Sequence, residues 1–149
     1  MTRLRTALPT LLLAVALLSM GTVSAPVNTD STPDTVKLEI MTLLNSDTVE
    51  KQEKAVRLIS HYAHTGQFNT GFYRIMVTPL HALVAEGETE SLRIMAVSAL
   101  YSIGTEKAME GLKAQMDSFE SDRLTTVAEN AIAQYKADRV AEMRSRTAE

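Results

Sequence analysis

The chain has 149 residues, with 15 Lys+Arg against 18 Asp+Glu and a net charge of −3. With a 25-residue leader set aside (below), 13 basic residues face 18 acidic ones, a charge of −5. That balance argues against a nucleic-acid binder or a polybasic membrane-surface protein, which need concentrated positive charge. The absence of Cys excludes a disulfide framework, thiolate zinc sites and a cysteine nucleophile. With no Trp and only 5% aromatics, stacking platforms for bases or sugars are not expected.

Residues 1–25 read as a secretory signal. Arg3 and Arg5 form a positive start, Ala7 to Met20 an apolar core of 14 residues, and Val23-Ser24-Ala25 the small residues read before cleavage at Ala25. The core falls short of the roughly 20 residues a spanning helix needs, so no stable membrane span is expected once the signal is removed. Pro26 disfavours cleavage directly before it, which leaves cuts after Ser24 or Gly21, or retention, as alternatives. The expected location is exported, periplasmic or secreted. Residues 26–33, polar and with two prolines, read as a flexible leader.

From Asp34 onward apolar residues recur at three- and four-residue steps, with no strand-like alternation. Val36, Ile40, Leu43 and Leu44 share one helical face, and Pro33 suits the first turn before them. Asp47 and Glu50 form a capping pair opening a second helix, whose stripe is Ala55, Leu58, Ile59 and Tyr62 and whose terminator is Gly66. A connector, QFNTG, leads to a segment in which Pro79 predicts a kink or a fresh start. Gly87 ends that segment, and the next helix runs to Gly104. Two further helices follow. The last places Leu124, Val127, Ala128, Ala131, Ile132 and Tyr135 on one face, and residues 137–149 extend it as a charged, solvated helical tail.

Every second helix overlays the others. Ala55, Ala96 and Ala128 align, as do Ile59, Leu100 and Ile132, at offsets of 41 and 32 residues. Such spacing brackets the period of two-helix repeats, in which stacked pairs bury what one pair cannot. The expectation is an all-α fold over residues 34–136: a short right-handed α-α solenoid of about three antiparallel helix pairs.

Residues 77–104 carry Pro79, Leu80 and Leu83, a short acidic turn, then Arg93, Ala96, Ala99-Leu100 and Ile103-Gly104. In this pattern the chain resembles the HEAT-like (armadillo-type) repeat family. The following repeat keeps the apolar skeleton with Thr125 at the Arg position; the first has Gln52 there and lacks the Pro. The resemblance implies a protein-binding scaffold, the usual role of such proteins; the related bilin-lyase type handles tetrapyrroles, and no residue of this chain points specifically to it.

Chemistry has few other candidates. His61 and His64 stand three apart on one helix and could offer two imidazoles to a metal, the basis of an alternative reading as an exported small-ligand or metal-binding carrier. His81 lies in another helix, no HExxH is present, and polar residues near a helix end explain the pair more simply. The mature methionines fall mostly on apolar faces, as core filler. The acidic stretch from Asp117 fails the calcium-loop pattern at its third, turn and final positions. No metal or cofactor is expected.

A surface remains. In two-helix solenoids the second helices line the concave side. Ile94, Val97 and Tyr101 lie on a face adjacent to the core stripe. The repeat overlay sets Glu53, Arg57, Ser60 and His64 on one side of them and Thr126, Asn130 and Ala133 on the other. Arg57, His64, Ile94, Ser98, Tyr101 and Asn130 are the expected contacts to another protein: an apolar centre in a polar rim.

Overall fold

The computed structural model describes residues 32–147; the signal, its Ala25 cleavage site and most of the leader lie outside them. Among the described residues every element is helical: α1 (Pro33–Leu44), α2 (Val49–Thr65), α3 (Thr70–Tyr73), α4 (Val77–Glu86), α5 (Glu90–Ile103), α6 (Glu106–Gln115), a 3-10 turn (Met116–Ser118) and α7 (Asp122–Thr147). The fold is all-α.

Local chemistry sets the boundaries. Side-chain oxygens of Thr32, Asn69, Thr89, Thr105 and Ser121 each accept a backbone N–H three residues on, supplying donors' partners that a helix start otherwise lacks. Pro33 occupies the first turn of α1, as its missing N–H allows. Pro79 falls in the first turn of α4, so the chain starts a fresh helix there instead of kinking one. The short helix α3, capped by Asn69, spans the end of the expected connector and the start of the segment after it. The Asp47–Glu50 capping pair does not form. Thr48 takes the extended N-cap conformation, one residue later than expected, without a side-chain cap bond. Ser46 holds that loop instead: its Oγ accepts the Thr48 N–H, and its carbonyl accepts Gln52 Nε2 at 2.8 Å.

Gly66 and Gly104 close α2 and α5 in the left-handed region, at φ 64° and 62°. Space around Gly66 is open to a Cβ, so a side chain there meets only backbone strain. Gly66→Ala is expected to lower stability by about 1–2 kcal/mol, as read from urea melts, with the helical spectrum unchanged. Gly87 also ends its helix, but at φ −54°.

Tertiary packing centres on α5, which lies against α2, α4, α6 and α7; α1 packs on α2, α6 on α7, and α4 on α6. The overlay of second helices is reproduced in burial. Ala55, Ala96 and Ala128 are all fully buried, as are Ile59 and Leu100, and Ile132 is 8% exposed. The fourth residues of α2 and α5 bond outside their own helices, Gln52 to the Ser46 carbonyl and Arg93 Nε to the Val84 carbonyl at 2.8 Å, whereas Thr125 Oγ1 of α7 makes the ordinary bond to the carbonyl four residues before it.

Helices α5 and α7 run in the same direction. At their starts Glu90 accepts a hydrogen bond from Ser121 and faces Arg123; near the end of α5, Tyr101 reaches Asp138. Because α5 stops at Ile103 while α7 continues to Thr147, the last three turns of α7 overhang the body. At 1.5 Å per residue the part beyond Lys136 is about 17 Å long. It is exposed throughout, without a break at residue 137.

Candidate interaction surface

Four of the six expected contact residues are exposed, on α2, α5 and α7. Arg57, His64, Ser98 and Asn130 are exposed there. Arg57 is tied within its own helix to Glu53 at 2.5 Å, and Ser98 Oγ donates to the Ile94 carbonyl at 3.2 Å. Ile94 is half-buried and packs against the core. Two positions read as part of this face belong elsewhere. Val97 is fully buried, because α5 packs against four helices and its buried stripe is wider than a surface helix needs. Ala133 is exposed, but it lines a dent with Met116 and Ile132 on another side of α7.

Tyr101 is half-buried and its hydroxyl donates to Asp138 Oδ2 at 2.9 Å; Gln134 Nε2 donates to Asp138 Oδ1 at 2.8 Å. The carboxylate beside it holds the phenolic proton and raises the Tyr101 pKa above its ordinary value. Around this bond the overhang forms a corner with the ends of α2 and α5. The result is a cleft of about 410 Å³ whose lining includes His64, Tyr101, Tyr135, Asp138, Arg139 and Glu142. Sequence reasoning supplied His64 and Tyr101. It assigned Tyr135 to the core and the three charged residues to a solvated tail. Their i, i+3/i+4 spacing was visible, but not that α7 would run beside the end of α5.

His61 and His64 are both exposed, and among the described residues no group of three or more His, Cys, Asp or Glu is placed to hold a metal ion. A roomier dent, about 450 Å³, lies between α3, the start of α4 and the start of α6, with Arg74, Glu106 and Lys107 in its wall; it contains none of the expected contact residues. Among the described residues no helix is long and apolar enough to cross a membrane.

Compared with family models, with curated proteins and with solved structures, the chain matches none of them.

Proposed function

We propose that this is an exported HEAT-like repeat protein, a short right-handed α-α solenoid of three antiparallel helix pairs. In this reading it works without catalysis, as a scaffold that binds another polypeptide across the α2–α5–α7 face. The observation that carries the reading is that face itself. Arg57, Ser98 and Asn130 are exposed on the three helices, α2, α5 and α7, whose later turns bring His64, Tyr101 and Tyr135 into one cleft. Tyrosine beside polar, adaptable groups is the composition of a protein-binding patch. The shared burial of Ala55, Ala96 and Ala128, and the backward-reaching donors Gln52 and Arg93 at the fourth positions of α2 and α5, support a repeat origin.

The test is capture of binding polypeptides from the native envelope and medium. One bait is the wild-type chain and the other carries Arg57→Glu, Ser98→Glu and Asn130→Glu together. All three sites are exposed, so the variant is expected to melt like the wild type. The expected result is a defined polypeptide whose recovery falls at least tenfold with the variant. Full retention by the variant, or no specific polypeptide on a well-folded wild-type bait, defeats the proposed face.

A further inference from the structure

We infer that the dent between α3, the start of α4 and the start of α6 is a binding site for a small phosphate monoester, held by Arg74 and Lys107. The site is separate from the α2–α5–α7 face and does not depend on what that face binds.

Arg74 is the residue that carries it. Arg57, Arg123, Arg139 and Arg146 face carboxylates, and Arg93 bonds a backbone carbonyl. Arg144 lies on the α7 overhang. Among the described residues that leaves Arg74 as the guanidinium of the helical body with no partner in the chain. It stands in the wall of a cavity of about 450 Å³, and Lys107, also in no ion pair, stands in the same wall. The two come from separate places, the turn between α3 and α4 and the first turn of α6. Like charges held about one cavity repel, and an anion between them reverses the sign of that energy.

The same wall supplies uncharged donors. Thr70 lines it, and among the described residues no bond uses its hydroxyl. Thr105 Oγ1 accepts the Ala108 N–H at 3.3 Å, which leaves its own proton free to donate. The first amides of α6 with an acceptor are those of Ala108 and Met109, so the Glu106 and Lys107 N–H groups remain open. A guanidinium fork, an ammonium, two amides and two hydroxyls outnumber the roughly four lone-pair sites of a carboxylate. A phosphate monoester offers three strong acceptor oxygens and a charge of about −1.5 to −2 to the two cations. The cavity volume falls among the roughly 300–1,000 Å³ of small-molecule sites, so the phosphate group fills only part of it. The remainder, along Gly71 and Val77, takes a short organic body. Glu106 is the one carboxylate among the lining residues. It opposes the anion without cancelling both cations.

Glu106 therefore gives the test a gain beside a loss. The probe is glycerol 3-phosphate, followed by calorimetry and amide NMR in phosphate-free buffer. The expected result is saturable binding of one equivalent, with the Glu106 and Lys107 amide signals moving most. Arg74→Gln with Lys107→Gln should weaken binding about tenfold or more, and Glu106→Gln should tighten it about threefold. All three sites are exposed, so the variants should melt like the wild type. Lys51→Gln, exposed on α2, should bind like the wild type, and acetate should not compete. Vesicles of phosphatidylcholine with phosphatidic acid separate the two sources of such a group. Pelleting that the double variant abolishes assigns the ester to a lipid headgroup; binding of the probe without pelleting assigns a free ester. Absence of saturable binding at tens of millimolar probe overturns the inference. So does equal weakening by Lys51→Gln and the double variant, which reports attraction to surface charge alone.

Discussion

Leu100→Ala is expected to destabilise the protein by about 2–5 kcal/mol, the larger half of that range being the more consistent with its site. Leu100 is fully buried on α5, the helix that packs against α2, α4, α6 and α7. A truncated side chain there leaves a void that the neighbours close only by moving four helices at once. Collapse is further opposed by Ala55, Ala96 and Ala128, which are also fully buried: their backbones are already close. Total stability of a domain this size is about 5–15 kcal/mol, so the loss is a large fraction of it. Urea denaturation followed by helical circular dichroism reads the midpoint and slope. Ser98→Ala, two residues away and exposed, serves as the control and should change stability by no more than about 0.5 kcal/mol. A Leu100→Ala loss under 1 kcal/mol would mean that α5 is not the centre of a single cooperative core.

The placement of Leu100 at that centre is legible in the sequence, and the reason is physical. Apolar periodicity is a local property of a helix, and Ala55, Ala96 and Ala128 with Ile59, Leu100 and Ile132 repeat it three times. Helix ends were legible where one residue type fits: Gly66 and Gly104 at positive φ, and Pro33 at a first turn. They were less legible where several residues compete. Asp47 and Thr48 are both good cap residues, and the choice fell to Thr48 through the Ser46 and Gln52 contacts across the loop. The candidate surface divides in the same way. Arg57, Ser98 and Asn130 face outward because the wheel places them there. Val97 is a wheel neighbour of Ile94, yet it is buried because α5 packs against four other helices. The Tyr101–Asp138 bond joins residues 37 apart, and no local pattern carries it. It follows from the common direction of α5 and α7, a property of packing alone.

Packing of another kind decides the last prediction. Gly111 sits mid-way along α6, where replacing glycine by alanine ordinarily stabilises a helix by about 0.5–1 kcal/mol. Here the opposite sign is expected. A Cβ on Gly111 would lie 2.5 Å from His81 Nε2 and 2.8 Å from Cε1. The His81 ring, on α4, has little room to yield: both ring nitrogens are buried without hydrogen-bond partners, as is Gln115 Oε1 beside it. Gln115 is held from the other side, its Nε2 donating to the His81 carbonyl at 3.4 Å. Gly111→Ala is therefore expected to cost about 1–3 kcal/mol net. His81→Ala removes the obstacle, so in that background Gly111→Ala should return to its ordinary stabilising sign. A double-mutant cycle by urea melts measures the reversal; an additive cycle would show that ring and glycine are not in contact. The same ring makes stability depend on acidity. Burial lowers the His81 pKa below its ordinary 6.5; nearby Gln115 opposes this in part, and Lys107 adds to the lowering. The unfolded chain thus takes up a proton at a pH where the folded chain still resists it. The contribution of neutral His81 to stability is fully present above pH 6.5 and is lost as the pH falls from there through the lower pKa of the folded form. Melts at pH 7.5 and 5.0 should show a loss in the wild type that shrinks in His81→Ala. An equal loss in both would place the acid sensitivity elsewhere and leave the α4–α6 contact a matter of shape alone.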